Sequence, residues 1–118
     1  MRHGNHKYKL GVKPQHRKAL VQNLSIELIT HGKIKTTETK AKAIKPFVEK
    51  LVTLAKVDSI ANRRVAFTKL NNKEAVKALF ETVAPKFKQR PGGYTRLLKI
   101  AETRLGDGAK EAYIAFVE

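Results

Sequence analysis

The chain has 118 residues, with 25 Lys plus Arg against 10 Asp plus Glu, a formal charge of +15 and 42% hydrophobic residues. Such a length supports one domain that removes roughly 65% of its unfolded surface from water, which excludes a purely disordered tail. The absence of Cys excludes disulfides, thiolate metal sites and a cysteine nucleophile, and the charge excess calls for an anionic partner.

Residues 1–13 contain Gly4 and Gly11 and no apolar period, so they read as an extended arm; residues 14–118 read as a single globular domain. Pro14 suits a first helical position, and Leu20, Val21, Leu24 and Leu28 recur at helical spacing until Gly32, which predicts a helix over 14–31. Lys33-Ile34-Lys35-Thr36-Thr37 alternates and is β-branched, a short strand whose Thr37 can cap the next helix. That helix, about 38–57, carries Ala41, Ile44, Val48, Leu51 and Ala55 on one stripe, with Pro46 expected to kink it. Asp58 and Ser59 offer a cap for a third helix, with Ile60, Val65, Ala66 and Leu70 as its apolar residues. Asn71 and Asn72 close it and cap a fourth, which Pro85 is expected to end. After Pro91-Gly92-Gly93, two β-rich segments, 94–101 and 112–117, flank Gly106-Asp107-Gly108 and read as an antiparallel hairpin. The sum is an α+β fold: a basic N-terminal arm, a helix, a short strand, three helices and a C-terminal antiparallel β-hairpin, with helices on one face of a small sheet.

The charge is unevenly placed. Residues 1–20 carry Arg2, Lys7, Lys9, Lys13, Arg17 and Lys18, residues 86–99 carry Lys86, Lys88, Arg90, Arg96 and Lys99, and neither segment has an acid. Residues 100–118 are mildly negative, with two basic and four acidic side chains. A basic arm of this kind most commonly meets nucleic acid. A membrane-surface arm needs Trp, Phe or Leu on an amphipathic face, whereas residues 1–13 offer Tyr8, Leu10 and Val12, so no membrane partner is expected. No apolar run is long enough for a spanning helix or signal peptide, and a cytoplasmic location is the expectation.

Catalytic signatures are missing. His3 and His6 lack the further ligands a zinc site needs, so no metal is expected. Ser25 and Ser59 lie outside any Gly-x-Ser-x-Gly turn, and no Gly-rich loop ends in Gly-Lys-Ser or Gly-Lys-Thr. Glu27, Glu38, Glu49, Asp58, Glu74 and Glu81 are spread as on solvated helix faces. His3, His6, His16 and His31 stand among cations, where imidazole can bond to phosphate or stack on a base. The stronger signal is Lys86-Phe87-Lys88-Gln89-Arg90-Pro91-Gly92-Gly93-Tyr94-Thr95-Arg96. Its glycines permit close backbone approach, Arg90 and Arg96 can clamp phosphate, and Tyr94 can stack on a base, pack in the core, or do both. Arg63 and Arg64 share a helix turn, so at least one guanidinium should face outward.

Met1-Arg2-His3, His16-Arg17, Ile34-Lys35-Thr36-Thr37 followed by Lys40-Ala41-Lys42-Ala43, Asn62-Arg63-Arg64, Gly92-Gly93-Tyr94-Thr95-Arg96 and Gly106-Asp107 resemble, in order and spacing, the bacterial large-subunit ribosomal protein seventeen family. The resemblance spans essentially the whole chain. It implies a structural constituent of the large ribosomal subunit, bound to large-subunit ribosomal RNA near the peptide exit tunnel and beside neighbouring large-subunit ribosomal proteins. It also implies no catalytic activity, no cofactor and no small-molecule substrate. Carried over by position, the family's basic arm matches Arg2, His3, Lys9, His16 and Arg17, its helix arginines match Arg63 and Arg64, and its glycine turn matches Arg90, Gly92, Gly93, Tyr94 and Arg96. Lys7, Lys13, Lys35, Lys40 and Lys88 complete the candidate RNA-binding set. The chain departs from the family pattern at Gly11-Val12-Lys13-Pro14-Gln15 and at Pro46. A DNA-binding protein and a small RNA-acting enzyme are the rival readings.

Overall fold

In the computed structural model, which describes residues 13–117, helix α1 spans Pro14–His31 and starts without a side-chain cap. Pro14 needs no donor partner there, and the Lys13 carbonyl accepts from the Arg17 N–H at 2.8 Å. Gly32 stops the helix at φ 80°, its N–H donating to the Leu28 carbonyl at 2.7 Å. That left-handed turn reverses the chain into strand β1, Lys33–Thr37. Thr37 then caps α2, Glu38–Ala55, by accepting from the Lys40 N–H. Ser59 caps α3, Ile60–Leu70, by accepting from Asn62 N–H at 3.1 Å. Asn71 closes α3 at φ 54°, and Asn72 opens α4, Lys73–Ala78, by accepting from the Ala75 N–H at 2.9 Å.

Strands β2, Thr95–Thr103, and β3, Lys110–Phe116, form the expected antiparallel hairpin. β1 adds to the far side of β3, giving an antiparallel sheet in the order β1-β3-β2. One row of this sheet is Ile34 opposite Ile114 opposite Leu97. Ile114 and Ala112 are buried with Leu28, Ile44, Val48, Leu51, Leu70, Leu79 and Phe87, so the helices cover one face of the sheet. Each fully buried large aliphatic side chain contributes about 1.5–3 kcal/mol. Among the described residues no buried side-chain polar atom lacks a partner.

Two expectations are corrected. On α3 it is Ala66 and Leu70 that face the core, while Ile60 is 74% and Val65 43% exposed. Pro85 does not end the fourth helical segment: α4 widens into a π turn, Leu79–Val83, and continues as a 3-10 turn, Ala84–Phe87, with Pro85 in its first turn where no donor is required. This winding brings Leu79, Phe80, Val83, Ala84 and Phe87 all to the core. As expected, α2 runs through Pro46 as one helix, with Pro46 on its exposed face.

Candidate nucleic-acid interface

The basic glycine turn is built on one face of α2. Glu49, Thr53 and Lys56 recur at spacings of four and three, so they lie one above another on the helix. The Glu49 carboxylate accepts from the Thr95 N–H at 3.2 Å and from its hydroxyl at 2.7 Å. Thr53 Oγ1 is hydrogen-bonded to the Tyr94 hydroxyl at 3.1 Å. The Lys56 ammonium lies 4.6 Å from the Tyr94 ring centre and donates to the Arg90 carbonyl. Lys56, and then Thr53, hold the Tyr94 phenol below its ordinary pKa. The ring is 1% exposed and packs against Phe87, centroids 5.3 Å apart. Tyr94 therefore has no free face for a nucleobase, which corrects the stacking role: it anchors the turn from inside the core.

Around this anchor the cations point outward. Arg90 folds back so that its Nε donates to the carbonyls of Gly92 and Gly93 at 3.2 and 3.1 Å. Among the described residues no carboxylate pairs with it, so the turn is closed without cancelling the guanidinium charge. Gly93 sits at φ 62°, a backbone conformation that glycine takes without strain. Lys86, Lys88 and Arg96 are exposed. Lys88 lies close enough to Asp58 to help lower that carboxyl's pKa, after the larger effect of Arg63. The turn and the α2–α3 junction thus lie side by side.

The two helix arginines part company. Arg63 makes paired bonds to Asp58 at 2.7 and 2.8 Å and covers the Phe80 ring at 5.1 Å, so its charge is matched within the fold. Arg64 is exposed beside Ile60 and Phe67 on the outer face of α3. Lys13, His16 and the half-buried Arg17 lie at the start of α1, roughly 27 Å along that helix from His31. Lys35 is exposed on β1, 4.0 Å from Glu111, and Lys40 is half-buried in the first turn of α2. Arg2, His3, Lys7 and Lys9 lie outside the described residues. The candidates therefore do not converge on a pocket but spread over several faces, as contacts to an extended polyanion would.

Some contributors escaped the linear reading. Lys33 extends over the Tyr113 ring at 4.3 Å, and Lys33 and Lys86 line a groove with His31. Only the β1–β3 pairing and the return of the chain after α4 bring them there. Lys56 had a partial signal in its helical spacing from Glu49 and Thr53, but its partners lie near residues 90–95.

Among the described residues no group of three or more His, Asp or Glu could hold a metal, and no helix is long and apolar enough to cross a membrane. The architecture is that of an α+β domain that displays cations outward from its helices and sheet. Residues 20–117 match the model of the family described as Ribosomal protein L17. The chain is 49% identical over 118 residues to large ribosomal subunit protein bL17 of Methylacidiphilum infernorum, covering 100% of this chain and 89% of the relative. It is 51% identical over 116 residues to the bL17 protein of Lawsonia intracellularis, covering 98% and 92%. Over 105 residues it is 54% identical to that of Persephonella marina, covering 88% and 85%. The chain belongs to the ribosomal protein L17 family. It is a structural ribosomal protein and not an enzyme, and the ribosome in which the family acts is cytoplasmic in bacteria.

Proposed function

We propose that this protein binds large-subunit ribosomal RNA as a structural constituent of the large subunit and supports its assembly and translation, near the peptide exit tunnel. The observation that carries the RNA contact is the glycine turn: Glu49, Thr53 and Lys56 hold it rigidly while Arg90 closes it without losing its charge. In this reading Lys13, His16, Arg17, Lys35, Lys40, Arg64, Lys88, Arg90 and Arg96 meet phosphate, and the Gly92–Gly93 backbone approaches the sugar-phosphate chain. Tyr94 and Arg63 position the surface from within. Residues 1–13, with Arg2, His3, Lys7 and Lys9, act as a basic arm whose cations pair with phosphate and release counterions. The location near the tunnel rests on the family resemblance.

Sucrose-gradient sedimentation of a lysate tests the assignment. The expected result is stoichiometric recovery with large subunits and intact ribosomes, retained after a high-salt wash; recovery only at the top of the gradient, or with DNA, would overturn it. With about six phosphates neutralised, affinity of the free protein for its RNA should fall roughly a thousandfold between about 50 and 200 mM salt. Cross-linking mass spectrometry of intact subunits should tie its exposed lysines to proteins around the tunnel exit. Deleting residues 1–13 should weaken assembly while preserving the helical circular dichroism of residues 14–118.

A further inference from the structure

The helices cover one face of the three-stranded sheet, packing on Ile34, Ile114 and Leu97, and strand alternation turns the residues between these to the other face. The register arranges that second face in rows. Lys33 stands opposite Ala115, which stands opposite Arg96; in the next row Lys35 stands opposite Tyr113, which stands opposite Leu98. Lys33, Lys35, Arg96 and Leu98 are exposed, and Tyr113 and Ala115 on the central strand are half-buried. Of the described tyrosines, Tyr94 is buried and Tyr113 is accessible. The Lys33 ammonium lies 4.3 Å from the Tyr113 ring centre. Among the described residues neither Lys33 nor Arg96 pairs with a carboxylate, and Lys35 approaches Glu111, which stands opposite Thr37, only to 4.0 Å. The cationic surface continues past Lys33, which lines a groove together with Lys86 and His31; no carboxylate lines that groove, although His31 itself bonds to Glu27 at 3.2 Å.

Three cations around an accessible phenol ring meet both parts of a nucleotide: its phosphate oxygens accept from ammonium and guanidinium groups, and its base lies flat on the ring. Inside a duplex each base is already stacked on its neighbours, so the ring gains only from unpaired nucleotides. A base on Tyr113 requires Lys33 to leave the ring. An exposed cation–π contact is weak, and the flexible lysine stem lets the ammonium turn to phosphate instead, so the exchange costs little. The other occupants fit less well. An acidic protein would use the cations and leave the ring idle, a lipid surface needs more apolar area than Leu98 supplies, and a second copy of this chain would bring another charge of +15.

We propose that the open face of the sheet is a platform for unpaired nucleotides of the ribosomal RNA, with a base stacked on Tyr113 and the flanking phosphates held by Lys33, Lys35 and Arg96. This deepens the RNA-binding reading above and rests on it. Photo-reactive benzoylphenylalanine placed at Tyr113 of the full chain, illuminated in the isolated large-subunit fraction, tests it. The expected adduct is RNase-sensitive and maps, by reverse-transcription stops, to a nucleotide that 2′-hydroxyl acylation of the protein-free RNA marks as unpaired. Tyr113→Ala should weaken binding of the full chain to deproteinised large-subunit RNA about tenfold with an unchanged salt slope, because stacking releases no counterions, while Tyr113→Phe keeps the affinity. Lys33→Gln should instead lower the salt slope by about one. Helical circular dichroism equal to that of the unsubstituted chain separates these losses from misfolding. An adduct on a paired nucleotide or on protein, no adduct in that fraction, or a folded Tyr113→Ala chain of undiminished affinity would overturn the platform and leave the RNA-binding reading intact. Failure of the unsubstituted chain to bind the RNA would instead overturn that reading, and the platform with it.

Discussion

At the glycine turn Arg90 bonds to the carbonyls of Gly92 and Gly93, and at the hairpin tip Arg104 bonds to the carboxylate of Asp107. Both turns use glycines at positive φ and both are closed by an arginine, yet they present opposite surfaces. Carbonyl oxygens satisfy the guanidinium's donors without cancelling its charge, whereas a carboxylate does both. The first turn therefore remains a cationic platform, and the second is charge-neutral. Their foundations differ as well. The first turn rests on α2 through Glu49, Thr53, Lys56 and the buried Tyr94, while the second rests on itself.

The sharpest way to break this contrast is to remove the buried anchor. Tyr94→Ala should cost about 3–5 kcal/mol in urea unfolding, because it leaves a cavity beside Phe87, whereas Tyr94→Phe should cost only about 1 kcal/mol for the hydroxyl. A smaller loss for Tyr94→Ala would mean that the turn is not part of the core. Glu49→Ala leaves the buried Thr95 N–H and hydroxyl without their acceptor and should cost about 1–3 kcal/mol, with faster amide exchange at Thr95 than at Arg104. Equal exchange at both turns would dissolve the distinction between them.

The electrostatic half of the comparison is read from salt. Lys88→Gln should reduce the salt slope of RNA binding by about one, and Arg104→Gln should leave it unchanged. A matching drop for Arg104→Gln would place RNA on the hairpin.

The smallest effect is at the tip itself. Arg104 first, and the Ala109 N–H second, lower the Asp107 carboxyl to about 2. A carboxyl lowered on folding stabilises the fold above its ordinary pKa and loses that contribution as pH falls toward the lowered value. The tip should therefore hold its geometry at pH 4 and loosen only as pH approaches about 2. Carbon-detected NMR titration of Asp107 checks this, and an ordinary carboxylate midpoint would show that the pair is not formed in solution.

Much of the fold was legible because its signals are local. Pro14 and Gly32, Thr37, Ser59, Asn71 and Asn72 start and stop elements through bonds that span at most four residues, so residue identity alone largely decides them. The apolar stripe of α2 was equally clear, since its alternative faces are charged. On α3 the pattern was degenerate. Ile60, Arg64 and Phe67 form one helical stripe, and Arg63, Ala66 and Leu70 another; packing against α1 and α4 chose the second.

The sequence by itself determined the chain's own strongly positive charge, the order and most boundaries of the elements, and the two glycine turns. These follow from summed charge and from interactions within a helical turn or a tight loop. The tertiary structure alone decided that β1 pairs with β3, that Tyr94 enters the core, and that Arg63 is matched by Asp58 while Arg64 is not. A tyrosine or arginine has the same chemistry wherever it stands, and its role depends on which distant group meets it. The Glu49–Thr95 and Thr53–Tyr94 bonds bridge 46 and 41 residues, a separation over which no local pattern reports.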